Sequence, residues 1–139
     1  MKWNLPIEEF TTPNPVTATE SMSIDELRRL MREHGVRHLP VVRDGKVVGV
    51  VSDRDVRVAQ GLSAEHSIQV CAADIMATDP VMVKASAPIE EVAYAMSDKK
   101  IGSVLVNEDN GEFLGIFTVT DALNALIEIS RSGQAHRGD

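Results

Sequence analysis

Aromatic side chains are scarce: Phe, Trp and Tyr together make up 4% of the 139 residues. A chain so poor in rings cannot build its interior on aromatic packing. Its hydrophobic residues, 43% of the total, are instead mainly Val, Ile, Leu, Met and Ala, which suit strands covered by helices. Cysteine is nearly absent. Cys71 stands alone, so there is no intrachain disulfide and no CxxC pair, a usage that fits a reducing compartment. Positive charge is also short, with 14 Lys and Arg against 21 Asp and Glu and a formal net charge of −7. Such a surface repels phosphate backbones and anionic lipids, which argues against nucleic acid or membrane as the main partner. A local basic cleft for a small phosphate-bearing ligand stays compatible with it. No stretch approaches the roughly 20 apolar residues of a membrane span, and the first nine residues do not read as a signal peptide. A cytoplasmic location is expected.

What the chain does have is a repeat. With Pro15 set against Pro80, Val16 meets Val81, Ser21 meets Ser86, Ile24 meets Ile89, Glu26 meets Glu91, Met31 meets Met96, Val41 meets Val106 and Asp44 meets Asp109. One extra residue near Asn110 resets the register, after which Gly45 meets Gly111, Gly49 meets Gly115, Asp55 meets Asp121 and Ala59 meets Ala125. Identities in this order with a single gap indicate duplication. Two copies point to a pseudo-symmetric pair, not an open array.

Each copy reads as strand, helix, strand, strand, helix. In the first, a short strand over Val16–Ala18 precedes Ser23-Ile24-Asp25-Glu26, which has capping-box spacing. Ile24, Leu27, Leu30 and Met31 share one helical face, and Gly35 ends the helix. His38–Arg43 and Lys46–Ser52 flank Asp44-Gly45, a hairpin signal, and a second helix starts near Asp53. The second copy predicts a strand over Val81–Val83, a helix over Ile89–Lys99, a hairpin over Ser103–Thr118 and a helix from Val119. The organisation expected is an arm over 1–14, repeats over 15–60 and 74–130, a linker over 61–73 and a polar tail over 131–139. Trp3 and Phe10 are expected to anchor the arm.

Both copies close their last strand alike, as Gly49-Val50-Val51-Ser52-Asp53-Arg54-Asp55 and as Gly115-Ile116-Phe117-Thr118-Val119-Thr120-Asp121. At a strand-to-helix turn, unsatisfied amides attract phosphate, a hydroxyl adds a donor, and an Asp one turn on can accept from vicinal hydroxyls such as those of a ribose. The same Ser/Thr-x-x-Asp pattern is also a plain helix-capping signal, so both roles stay open on the sequence. His34 and His38 are four apart, but Gly35 separates them and no third ligand is evident, so no metal site is expected.

Residues 10–128 resemble a tandem pair of CBS domains. The matching segments are Pro15-Val16-Thr17, Gly35 to Val42, Asp44 to Asp55, Asp74-Ile75-Met76, Pro80-Val81, Ile101 to Val106 and the second Gly-to-Asp motif. The resemblance implies an α/β (α+β) fold of two β-α-β-β-α repeats packed as a pseudo-twofold pair. It implies a regulatory module, not an enzyme. The module would bind an adenosyl compound (AMP, ADP, ATP, S-adenosylmethionine or NAD) in clefts between the repeats, with no cofactor required. Asp55 and Asp121 would hold ribose hydroxyls, with Ser52 and Thr118 near the ribose or phosphate. Thr12, Val16 and Thr17 in the first copy, and Met76, Ala77 and Val81 in the second, would line the adenine. Arg37, His38 and Arg54 would meet phosphate. The second copy has Gly102, Ser103 and Thr120 at those three places, so unequal sites are expected. A homodimer formed through helices is implied, with output to an effector protein in trans or through assembly. The alternative is a structural interaction module with empty clefts.

Overall fold

The structure, a computed structural model, describes residues 5–66 and 69–137. Trp3 lies outside them. The chain divides into two compact units, one formed by residues 15–80 and the other by residues 1–14 together with 81–139.

The first unit holds a three-stranded sheet, β2 (Ala18–Thr19), β3 (His38–Arg43) and β4 (Lys46–Ser52), in the order β2-β3-β4. Helices α1 (Ile24–His34), α2 (Asp53–His66) and the short α3 (Ala72–Ile75) belong to it. The capping box at the start of α1 is formed as the sequence predicts. The Glu26 amide donates to Ser23 Oγ at 3.2 Å, and the Ser23 amide donates to Glu26 Oε2 at 3.2 Å. Gly35 ends α1 in the left-handed conformation, at φ 63°. Ile24, Leu27 and Met31 point inward from α1 onto Leu39, Val41, Val51 and Val56.

The second unit repeats this plan with α4 (Ile89–Lys99), β6 (Ser103–Asn107), β7 (Phe113–Thr118) and α5 (Val119–Arg137). Its sheet has four strands in the order β1-β7-β6-β5, where β1 is Thr12–Pro13 and β5 is Met82–Lys84. Val104, Val106, Phe117, Ile89, Val92 and Met96 form its core. The first strand of each copy sits one to two residues later than expected, because the parallel ladder begins where Ala18 meets Val41 and Met82 meets Leu105. Helix α2 continues past residue 60 into the expected linker. Helix α5 runs to Arg137 through the expected polar tail, where no proline stops it.

The compact units do not coincide with the sequence repeats. The segment before each copy packs on the other one. Residues 5–13 belong to the second unit: Ile7 is fully buried in its core, Leu5 and Phe10 pack beside it, Pro6 bridges to Pro88, and Thr12 pairs with Ile116. Residues 70–77 play the same part in the first unit: Ala72 is fully buried, Cys71 bridges to Ser23, and Ala77 bridges to Val50. The two segments superpose by the 65-residue period, Pro6 on Cys71, Ile7 on Ala72 and Thr12 on Ala77.

Glycine allows the approach. A Cβ on Gly49 would lie 2.7 Å from Met76 Sδ and 2.8 Å from the Ala77 carbonyl oxygen, and one on Gly115 would collide with the Thr12 carbonyl. The repeated glycine therefore marks where the incoming segment touches the last strand. A bulge lies next to it in each hairpin. Val42 pairs with Val47 but Val41 with Gly49, and Asn107 pairs with Phe113 but Val106 with Gly115.

Removing the Ile7 side chain leaves a cavity in the second unit alone. Ile7→Ala is expected to cost about 2–5 kcal/mol. Hydrogen exchange should speed up across 103–118, with 38–52 much less affected. Equal loss of protection in both hairpins would contradict the assignment of this segment.

Candidate functional site

The Gly-to-Asp motif forms the same strand-to-helix turn in each unit. At the end of β4, the Asp55 amide donates to Ser52 Oγ at 3.1 Å, and the Ser52 amide donates to Asp55 Oδ2 at 3.0 Å. At the end of β7, the Asp121 amide donates to Thr118 Oγ1 at 3.3 Å, and the Thr118 amide donates to Asp121 Oδ2 at 2.9 Å. Each pair is thus a reciprocal cap on the helix that follows. The turns are tied back to the preceding strands by matching bonds. Asp53 N–H donates to the Arg37 carbonyl at 2.7 Å, and Val119 N–H donates to the Gly102 carbonyl at 3.2 Å.

The bulge at Val48 sets which residues meet. It places His38 opposite Ser52, and the equivalent bulge places Ser103 opposite Thr118. His38 is half-buried at the foot of β3. Burial pushes its pKa below the ordinary value of 6.5. The Asp55 and Asp53 carboxylates oppose that shift, and Arg37 reinforces it. Arg37 and Arg54 are exposed, and neither forms an ion pair among the described residues. Arg54 and Asp55 lie on the wall of an open groove of about 430 Å³ that continues along Val58, Leu62, Val70 and Ile75.

Of the candidate residues, Val16, Thr17, Arg37, His38, Ser52, Arg54, Asp55, Met76 and Ala77 lie in the first unit, and Thr12, Val81, Thr118, Thr120 and Asp121 lie in the second. Two placements correct the sequence expectation. Thr12 stands with the second copy, where its hydroxyl donates to Asp121 Oδ1 at 3.2 Å. Met76 and Ala77 stand with the first copy, against Gly49 and Val50. The cause is the exchange of the segments before the repeats, which periodicity alone does not reveal. Sequence reasoning also passed over Asp53 as a neighbour of His38. The bulge shifts the hairpin register by one residue, and no residue type announces it. Among the described residues, no group of three or more His, Cys, Asp or Glu is placed to hold a metal ion. None of the described helices is long and apolar enough to cross a membrane.

Two units of this plan, each ending its last strand in a capped Ser/Thr-x-x-Asp turn, define a tandem domain pair. The CBS domain model matches residues 7–61 and 72–128, and the chain belongs to that family. It is similar to a structure named AcuB from Vibrio cholerae, with a TM-score of 0.86 and 27% identity over 96% of this chain and 99% of that one. It is also similar to CBSX2 of Arabidopsis thaliana, solved in complex with AMP, with a TM-score of 0.74 and 28% identity over 90% and 98% of the two chains. A third relative is the CBS domain pair of protein MJ0100, solved with 5′-methylthioadenosine and S-adenosyl-L-methionine, with a TM-score of 0.76 and 25% identity over 89% and 97%. Among curated sequences, it is 36% identical over 114 residues to an inosine-5′-monophosphate dehydrogenase of Korarchaeum cryptofilum. Those residues are 82% of this chain and 23% of the dehydrogenase. The chain likewise spans 60%, 22% and 24% of the next three relatives.

The depressed His38 pKa carries a sign. As pH falls below about 6.5, the unfolded chain takes up a proton that native His38 resists, so stability contributed by this site is lost on acidification. Urea unfolding between about pH 8 and pH 5 should show a shallower decline for His38→Gln than for the parent. Parallel profiles would remove His38 as the cause.

Proposed function

We propose that this chain is a ligand-sensing regulatory module that binds an adenosyl nucleotide at its Ser/Thr-x-x-Asp turns and transmits the binding event to an effector protein. The observation that carries this is the repeated turn itself: a capped helix start whose Asp carboxylate stands beside a strand end, in two structurally equivalent places. The AMP bound to CBSX2 and the adenosyl compounds bound to the MJ0100 pair support the ligand class. AMP, ADP, ATP, S-adenosylmethionine and NAD are the candidates. Phosphate would be held by Arg37, His38 and Arg54 of the first unit, while the second has Gly102, Ser103 and Thr120 in their places. The ligand shifts a conformational balance, and the effector reads the shift. The module itself is read as non-catalytic, so steady turnover of ATP would refute it.

Assembly into a homodimer through helices is part of the proposal. Val58 and Leu62 on α2, and Val119, Leu123, Leu126 and Ile127 on α5, are exposed apolar side chains. Such stripes favour a protein partner. They also support the second reading, an interaction module that works without nucleotide.

A thermal-shift panel with the five candidate ligands separates the two. A ligand at about a hundred times its Kd adds roughly 2.7 kcal/mol, which at this size raises Tm by about 5–10 °C. No shift with any of the five would leave the interaction module standing. Sedimentation of the parent should give a dimer, and Leu62→Glu combined with Leu126→Glu should give a monomer. A monomeric parent would reject the homodimer.

A further inference from the structure

The two turns differ in how much of the Asp carboxylate is still available. Asp121 Oδ2 accepts from the Thr118 amide at 2.9 Å and from the Thr118 hydroxyl at 3.2 Å. Asp121 Oδ1 accepts from the Thr12 hydroxyl at 3.2 Å. Asp55 is less committed. Its Oδ2 accepts from the Ser52 amide at 3.0 Å, and no other described residue donates to this carboxylate. A carboxylate has about four lone-pair directions. Asp121 therefore keeps about one, and Asp55 keeps about three. A vicinal diol presents two hydroxyl donors on neighbouring carbons and needs two acceptor directions together. Asp55 can take it as it stands. Asp121 can take it only when Thr12 lets go.

The source of the difference is a single hydroxyl group. Thr12 lies opposite Ile116, and Ala77 lies opposite Val50, which is the equivalent of Ile116 in the first copy. Ala77 has no hydroxyl to offer. Thr12 is exposed on the short strand β1, so its side chain is free to rotate away, and its strand pairing rests on backbone groups.

We propose that the Thr12 hydroxyl is an internal competitor, standing in for a ligand hydroxyl on Asp121. The protein thus has one diol-ready turn, at Asp55, and one turn that a diol must win from its own chain. The inference rests on the adenosyl-ligand reading and adds to it which turn fills first and which residue sets the order. Releasing one solvent-accessible hydrogen bond should weaken the second event about three- to tenfold.

Calorimetric titration with AMP tests this, with 2′-deoxy-AMP as the probe that lacks the diol. In the parent, the tighter event should disappear in Asp55→Asn and survive in Asp121→Asn, and 2′-deoxy-AMP should bind more weakly than AMP. Thr12→Val keeps the branched side chain and removes the hydroxyl. It should tighten the weaker event about three- to tenfold, or bring a second event into range, and leave the tighter one unchanged. Thr12→Ser restores the hydroxyl and should titrate like the parent. An unchanged or weakened second event in Thr12→Val overturns the proposal, as does a tighter event that depends on Asp121. Absence of AMP binding in every one of these proteins would instead overturn the adenosyl reading on which the proposal stands.

Discussion

Everything in this molecule depends on two places where a backbone comes too close to a strand for any side chain to stand between. At Gly49 the visiting segment is Met76-Ala77, and at Gly115 it is Thr12-Pro13. Each visit adds to the last strand of one copy the residues that precede the other copy in the sequence. It also carries an apolar residue, Ala72 or Ile7, into a core that would otherwise lack it. The repeated glycine is thus a docking point, and the adjacent bulge sets the register that puts His38 opposite Ser52 and Ser103 opposite Thr118.

The cap and the candidate site are one structure. Ser52 with Asp55, and Thr118 with Asp121, satisfy amides at the start of α2 and α5. This helix-end chemistry also leaves carboxylate oxygen available to an outside donor. The two interpretations left open by the Ser/Thr-x-x-Asp spacing are therefore compatible, because a carboxylate has more acceptor capacity than a cap consumes. The units then diverge through what surrounds the cap. The first has basic residues and an Asp with spare acceptors. The second has neutral residues and an Asp engaged by Thr12.

Much of this was legible in the residues. The duplication, the Ser23 capping box, the Gly35 stop, both hairpins and the starts of α2 and α5 follow from capping chemistry, turn residues and alternation, all of them local. Three things were not. The exchange of residues 5–13 and 70–77 leaves no local trace, since a segment packs equally well on its own copy or the other as far as periodicity can tell. The bulges at Val48 and Leu114 change the register without any diagnostic residue, and with them the identity of the neighbours of His38. The extent of α5 is the third, because a polar composition resembles a tail, although polar residues sustain a helix when nothing interrupts it.

The exchanged segments also make the two units unequal in time. The first unit draws on a continuous stretch that is complete once residue 80 has been made. The second must hold residues 5–13 in reserve, with Ile7 unburied, until the strands that receive them exist. Its Thr12–Asp121 contact closes a separation of 109 residues. Contacts between such distant residues form late and slowly. During synthesis residues 5–13 therefore stay unpaired, with an apolar anchor, until β7 exists to receive them, and such an unpaired edge is the kind of surface on which aggregation starts.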